Sequence, residues 1–206
     1  MRIIALGDSL TVGESDPTFS IDVGVTFPEH LEALAQHYLE DHASSTEIRI
    51  VNKGMSGDLT SGMLERFNRD VIGEEADYVI ILGGTNDIGG NMMPSVITDN
   101  LVAMYDSALT ADIGPVACGV PSILGVDELI PPRLRLNKMM QAEASKRDIP
   151  FVDLFSATAD PQTRRLSEQY SADGLHLNSQ GYRRIGQSIF DTWLRPLLAK
   201  STKSNQ

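Results

Sequence analysis

The sequence predicts an α/β protein, a three-layer α/β/α sandwich around a parallel sheet of five strands. Short apolar runs of strand length alternate along the chain with longer segments whose apolar residues recur at helical spacing. The run at residues 78–82 is apolar throughout, which is typical of a strand that helices cover on both faces. A length of 206 residues suits one domain with a sizeable core. We therefore predict a single domain over residues 1–200 and a polar tail over 201–206.

The predicted strands and helices alternate in chain order. Strands are expected at residues 2–6, 47–51, 78–82, 115–120 and 151–155. Apolar residues at helical spacing extend over 31–39, 59–71, 97–108, 136–144 and 182–197. The longest connections are expected at residues 13–25, 121–132 and 156–172.

Individual residues mark where some of these helices begin and end. Thr26 and Glu29 form a capping-box pattern with Pro28 in the first turn, so the first long helix should begin there. Asn178 is the expected N-cap of the last helix. Pro196 should bend or end that helix, because proline has no N–H to donate and its ring crowds the preceding turn.

Four polar clusters are placed after predicted strands. They lie at residues 7–11, 54–58, 83–87 and 173–176. Parallel strands end at the same edge of a sheet, and open α/β folds bind their ligands at that edge. The clusters should therefore converge on one crevice.

Three residues in these clusters have chemistry that depends on one another. A serine hydroxyl such as that of Ser9 is a poor nucleophile unless a base assists it. Asp173 and His176 are three residues apart in a loop that contains a glycine, so one turn can bring the carboxylate to the imidazole. Asp173 could then accept a hydrogen bond from Nδ1–H, which leaves Nε2 of His176 to face Ser9. This arrangement predicts nucleophilic catalysis.

Other interpretations of the polar residues remain open at this stage. Ser9 taken alone would suit a turn or a helix cap. Ser56 is a rival nucleophile, but the sequence links it to no base. Asp8 and Asp87 have no required chemical step, and local turn hydrogen bonding is expected for each.

The four clusters together resemble the sequence blocks of the SGNH or GDSL family of esterases and lipases. The matching segments are Gly7-Asp8-Ser9-Leu10, Ser56-Gly57-Asp58, Gly84-Thr85-Asn86-Asp87 and Asp173-Gly174-Leu175-His176. All four occur in order, and the resemblance spans nearly the whole chain. It implies the SGNH hydrolase fold, with a flavodoxin-like strand order of 2-1-3-4-5.

The resemblance also implies a role for each residue of the site. Ser9 would be the nucleophile, His176 the general base and Asp173 the residue that orients the base. The backbone amides of Ser9 and Gly57 and the side-chain amide of Asn86 would form the oxyanion hole. Gly57 and Asn86 could instead only shape their turns, since glycine readily adopts a positive φ.

We therefore expect a serine esterase that hydrolyses carboxylic esters or thioesters through an acyl-enzyme on Ser9. The absence of an inserted lid domain favours small or accessible acyl esters as the small-molecule substrate. A possible acyl pocket is formed by Met92, Met93, Ile123 and Leu124, although ordinary packing under a loop is an alternative. Alternative functions are a catalytically silent ligand-binding module on the same fold, a carbohydrate deacetylase, a lysophospholipase or a thioesterase.

Composition limits the partners and cofactors. With 28 acidic and 17 basic residues the net charge is −11, which disfavours nucleic acid and anionic membrane surfaces. No run approaches the ~20 apolar residues of a membrane span. The chain lacks nucleotide-binding and zinc-site motifs, so we expect no cofactor and no metal. Cys118 is the one cysteine and should be buried, and the lack of a signal-peptide pattern before Asp8 favours the cytoplasm.

Overall fold

The computed structural model describes residues 1–13 and 25–204. The predicted loop over 13–25 lies almost entirely outside the described residues, as do the last two residues of the tail. Within the described residues, the strands are β1 (Arg2–Gly7), β2 (Arg49–Gly54), β3 (Tyr78–Leu82), β4 (Gly114–Cys118) and β5 (Phe151–Val152). They form one sheet in the order β2-β1-β3-β4-β5, with every neighbouring pair parallel. The predicted strand order is thus confirmed.

The helices cover both faces of this sheet. They are α1 (Ser9–Val12), α2 (Phe27–Asp41), α3 (Thr60–Asp70), α4 (Thr85–Gly89), α5 (Pro94–Thr110), α6 (Ile130–Lys146), α7 (Leu154–Thr158), α8 (Ser179–Ile189) and α9 (Arg195–Ser204). None of those described is both long and apolar enough to cross a bilayer.

Alternate residues of the central strands belong to different cores. In β1, Ile3 and Ala5 pack on the face covered by α2 and α8, whereas Ile4 and Leu6 pack on the face covered by α3, α5 and α6. All four side chains are fully buried. Because a strand alternates its side chains across the sheet, this two-sided burial explains the uninterrupted apolar run and the three-layer sandwich.

Two of the predicted helix starts are confirmed by their caps. The Glu29 carboxylate accepts a hydrogen bond from the Thr26 amide at 2.8 Å, and Pro28 lies in the first turn of α2. The Asn178 side chain accepts from the amides of Gln180 and Gly181, both at 3.0 Å, and so caps α8. These bonds satisfy amides that the first helical turn leaves unpaired.

The C-terminal half departs from the prediction in the fifth strand and in the loop that follows the fourth. The fifth strand ends at Val152 rather than at residue 155. The reason is that the Asp153 side chain accepts from the Ser156 amide and caps α7, which therefore overlaps the end of the predicted strand and the start of the predicted connection. The loop predicted over 121–132 ends early, since α6 begins at Ile130. The two prolines of this helix, at 131 and 132, suit its first turn, because backbone N–H groups there have no acceptor within the helix.

Pro196 does not end the last helix. The five residues Phe190–Leu194 before it form a π-helical segment, and α9 continues to Ser204, so the first residues of the predicted tail are helical. A π turn is wider than an α turn, so it accommodates Pro196, which has no N–H to donate to a carbonyl of the preceding turn. Cys118 is fully buried with a free thiol, as predicted.

Candidate active site

Ser9 lies at a sharp strand-to-helix turn. Strand β1 ends at Gly7, and Ser9 is the first residue of the short helix α1. Asp8 caps this helix, because its Oδ1 accepts from the Leu10 amide at 2.9 Å. Gly13 ends the helix in a left-handed conformation (φ 74°) and donates its amide to the Ser9 carbonyl. The turn therefore fixes the Ser9 backbone at the carboxyl edge of the sheet.

Asp173, His176 and Ser9 form a continuous chain of hydrogen bonds. Oδ2 of Asp173 lies 2.7 Å from Nδ1 of His176, and Nε2 of His176 lies 3.2 Å from Oγ of Ser9. An ionised carboxylate only accepts, so Nδ1 carries the proton and Nε2 is left to accept from the serine hydroxyl. Ser9 and His176, which stand 167 positions apart in the chain, thus lie within hydrogen-bonding distance of each other.

The Asp173 carboxylate is held by the loop that carries it. Its Oδ1 accepts from the amides of Leu175 at 2.9 Å and His176 at 2.7 Å. Burial raises the pKa of Asp173, but the bonds from the His176 ring and from the two amides outweigh burial and hold the pKa below its usual value. Asp173 is therefore an ionised acceptor at neutral pH.

A second loop braces the histidine loop. From this second loop, the Leu124 amide donates to the Gly174 carbonyl at 2.8 Å. Within the histidine loop itself, the Ala172 amide donates to the His176 carbonyl at 2.9 Å. Gly174 has φ +98°, and a Cβ there would lie 2.7 Å from the Leu124 carbonyl oxygen. Both the backbone conformation and the close approach require glycine at this position.

The two other expected oxyanion donors lie on neighbouring strand ends. Gly57 follows β2 with φ +72°, and nothing lies within 4 Å of where its Cβ would be. Asn86 is in α4, after β3, and its Nδ2 donates to the Asp58 carbonyl at 2.9 Å. A side-chain amide has two N–H groups, so this bond orients Asn86 and leaves one donor for a ligand.

The four residues of the predicted acyl pocket differ in exposure. Met93 is 64% exposed at the start of α5, and Met92 packs partly against the core beneath it. Ile123 is only 5% exposed and lies in a small cluster with Ile130 and Phe155, while Leu124 is half-buried beside the histidine loop. Their contact with an acyl chain stays a prediction.

Residues 5–184 match the GDSL-like lipase/acylhydrolase family. This span contains every residue of the hydrogen-bonded chain and both neighbouring strand ends. The chain belongs to this family. It is therefore a GDSL-type hydrolase of ester bonds, and the resemblance seen in the sequence blocks is confirmed.

Solved structures support the same fold for this GDSL hydrolase. A lipase/acylhydrolase from Enterococcus faecalis is 27% identical, with a TM-score of 0.70 over 92% of this chain and 93% of that one. TesA is 23% identical, with a TM-score of 0.72 over 96% and 99%. A catalytic mutant of an acetylxylan esterase from Geobacillus stearothermophilus is 18% identical, with a TM-score of 0.76 over 93% of each chain. No curated protein matches the sequence.

Asp87 of this GDSL hydrolase does not form the local turn that the sequence suggested. Its fully buried carboxylate accepts instead from the hydroxyl of Thr60 at 2.7 Å and from the Thr60 amide, 27 residues earlier in the chain. Asp87 therefore joins the start of α3 to α4, which carries Asn86. Asp8 does bond locally, as predicted.

Arg133 is a buried charge near the GDSL serine that the sequence reasoning missed. The side chain is 1% exposed, and its Nη1 donates to the Pro121 carbonyl at 3.2 Å and to the Thr85 hydroxyl at 3.4 Å. Burial lowers the pKa of Arg133 to about 10, opposed by attraction to Asp8. One signal was present, because Arg133 stands three residues before Leu136 on the apolar face of its helix.

Asp8 allows a prediction about stability and pH. Burial raises its pKa from 3.8 to about 7, against the opposing effects of the Leu10 amide and Arg133. The folded protein thus binds this proton more tightly than the unfolded chain, and the associated stability is lost as pH rises through about 7.

Asp8→Asn keeps a capping oxygen but carries no charge. As the pH rises from 5 to 7.5, wild type should therefore lose about 2–3 kcal/mol of its free energy of unfolding relative to Asp8→Asn. Urea unfolding of both proteins at the two pH values measures this difference. A difference that is the same at both values would contradict the raised pKa.

Proposed function

We propose that this GDSL hydrolase is a serine esterase that cleaves carboxylic esters or thioesters through an acyl-enzyme on Ser9. The single observation that carries the proposal is the bonded chain from Asp173 through His176 to Ser9. It supplies a nucleophile, a base and a group that orients the base, which are the parts that activated serine catalysis requires.

The reaction proceeds in two matching halves. Nε2 of His176 takes the hydroxyl proton while Oγ of Ser9 forms a bond to the carbonyl carbon, which gives a tetrahedral oxyanion. The carbon–oxygen or carbon–sulfur bond to the leaving group then breaks, and His176 gives its proton to the departing alcohol or thiol. Water repeats the sequence on the acyl-serine, which releases the acid and restores Ser9.

The oxyanion is stabilised by three donors from three strand ends. These are the amides of Ser9 and Gly57 and the remaining N–H of Asn86. The bond from Asn86 to the Asp58 carbonyl supports this role, because it fixes the amide before substrate arrives. A donor fixed in advance costs no reorganisation when charge develops.

The substrate is a small or accessible acyl ester. The structural relatives of this hydrolase include a lipase/acylhydrolase and an acetylxylan esterase, and the second supports a short acyl group. Hydrolysis of a p-nitrophenyl ester series from acetate to palmitate tests the preference. We expect kcat/KM to be highest for the short acyl chains, and a steady rise towards palmitate would contradict this assignment.

A catalytically silent binding module is the alternative on the same fold. A fluorophosphonate probe separates the two, because it reacts only with an activated serine. We expect one covalent adduct that maps to Ser9. An unlabelled protein that still binds short esters would support the binding module.

Asn86→Ala should lower kcat by about 10²–10³-fold with little change in KM, because the lost donor meets charge that develops only in the transition state. Steady-state kinetics with p-nitrophenyl acetate measures both constants. Asn68→Ala, on the exposed side of α3, is the matched control and should retain full kcat. A raised KM with unchanged kcat would place Asn86 in ground-state binding instead.

A further inference from the structure

Arg66 is a buried arginine of α3 that contacts the ends of β1 and β2 and the loop after β2. The side chain is 7% exposed. Its Nη2 donates to the Gly7 carbonyl at 2.9 Å, and its Nη1 donates to the Lys53 carbonyl at 2.8 Å. Its Nε donates to the Asp58 carboxylate at 2.8 Å, and Nη1 also reaches Asp70 at 3.0 Å. One guanidinium thus binds two backbone carbonyls and two carboxylates.

Three of these four contacts lead to an expected oxyanion donor. Gly7 is the last residue of β1, two positions before Ser9. Lys53 is the second-last residue of β2, just before the loop that contains Gly57. Asp58 follows Gly57 directly, and its carbonyl accepts the side-chain amide of Asn86. The bonds of Arg66 therefore connect the supports of all three donors.

We propose that Arg66 is the positioning residue of the oxyanion hole, a single buried guanidinium that sets the amides of Ser9 and Gly57 and the side chain of Asn86 relative to one another. The inference rests on the proposed function, because it assigns Arg66 a task in the same reaction. Arg66 acts through the donors and does not touch the substrate.

Arginine is suited to this task for a geometric reason. Its planar group presents five N–H donors in a fixed fork, whereas lysine offers three donors on a single nitrogen, fewer than the four acceptors that Arg66 binds. The neighbouring Asp70 stays ionised throughout the working range, because the hydrogen bond from Arg69, together with Arg66, lowers the pKa of Asp70 to about 2. The charge pairing of Arg66 thus persists at any pH used for an assay.

Gly62 gives a second, independent way to disturb the same contact. It lies in α3, and a Cβ at this position would overlap the Asp58 carboxylate. Alanine would otherwise favour the helix. Gly62→Ala should therefore push Asp58 away from Arg66 while leaving the arginine itself in place.

The test is a double-mutant cycle between Arg66→Lys and Asn86→Ala, with p-nitrophenyl acetate as substrate. Arg66→Lys should lower kcat by roughly 10- to 100-fold at nearly unchanged KM, since displaced donors weaken only transition-state binding. Gly62→Ala should lower kcat in the same way. The double variant should lose less than the product of the two single losses, because both changes act on the same donor.

Arg147→Lys is the matched control. Arg147 also binds two carboxylates, those of Asp106 and Glu143, but joins α5 to α6 away from the serine, so its replacement should leave kcat unchanged. Thermal unfolding of each variant shows whether it is folded. If Arg66→Lys does not fold, Gly62→Ala paired with Asn86→Ala carries the same test.

Two results would overturn the inference. The first is a wild-type kcat in folded Arg66→Lys or in folded Gly62→Ala. The second is a double variant whose loss in kcat equals the product of the two single losses. If wild type is active and Ser9→Ala is not, either of these results leaves the proposed function standing. A wild-type protein that hydrolyses no ester would overturn both.

Discussion

Ser9→Ala is expected to reduce kcat for ester hydrolysis by about 10⁴–10⁶-fold while the protein stays folded. The loss is large because no acyl-enzyme can form without Oγ, and His176 then has no hydroxyl to deprotonate. Stability should change little, since the substitution removes one hydrogen bond at the end of a strand, worth about 1 kcal/mol.

Steady-state kinetics and urea unfolding measure these two effects separately. Ser188→Ala is a suitable control, because the Ser188 hydroxyl donates to a carbonyl within α8 and lies outside the site. Ser188→Ala should hydrolyse esters at the wild-type rate. A Ser9→Ala protein that keeps even a tenth of wild-type activity would show that the nucleophile has been misassigned.

Asp173→Asn is expected to lower kcat by about 10⁴-fold. The local bonds give the reason. Oδ1 of Asp173 accepts from two backbone amides, so an asparagine must keep its oxygen there and turn its NH₂ group towards Nδ1 of His176. Nδ1 would then have to accept rather than donate, and the proton would move to Nε2, where it blocks the base.

The pH dependence distinguishes this explanation from a simple loss of structure. Wild-type kcat/KM should rise with pH as the histidine base becomes neutral. The ionisation of Asp173 does not cause that rise, because its lowered pKa keeps the carboxylate ionised over this range. The stability that Asp173 contributes is lost only at lower pH, below the usual range of carboxylate pKa values. In Asp173→Asn this rise should be absent, since the proton on Nε2 blocks the base at every pH, whereas a merely destabilised protein that keeps its base would still show the rise.

Profiles with p-nitrophenyl acetate from pH 5 to 9, corrected for spontaneous hydrolysis, show whether the rise is present. Asp160→Asn is the matched control, because Asp160 also accepts from two backbone amides, in a loop away from Ser9. It should leave the profile unchanged. Full activity in Asp173→Asn, or a flat wild-type profile, would contradict the roles proposed for Asp173 and His176.

The fold could be predicted because its signals are local. Apolar runs fully buried on both faces marked β1 and β3, and the caps at Thr26 and Asn178 lie within the residues they bond. The short helices α1 and α4 escaped prediction because four or five residues contain no helical period. The early end of β5 depended on a single N-cap, Asp153, inside an apolar stretch.

The sequence indicated which side chains meet at the candidate site but not the contacts that support them. Asp173 and His176 are neighbours in the chain, and Ser9 was found by its place after a strand. Supporting contacts join residues far apart, such as Arg66 with Gly7 at 59 positions, and no spacing in one sequence marks such a pair. The link from Asp87 to α3 was missed for the same reason, because only the folded sheet brings them together.

Mass spectrometry can detect the proposed acyl-enzyme on Ser9 itself. Protein mixed with p-nitrophenyl acetate and quenched in acid within the first turnovers should gain the mass of one acetyl group, and peptide mapping should place that group on Ser9. Ser9→Ala should gain none. Esters hydrolysed at the wild-type rate with no acetyl group on Ser9 at any time, or with an acetyl group on another residue, would contradict the account.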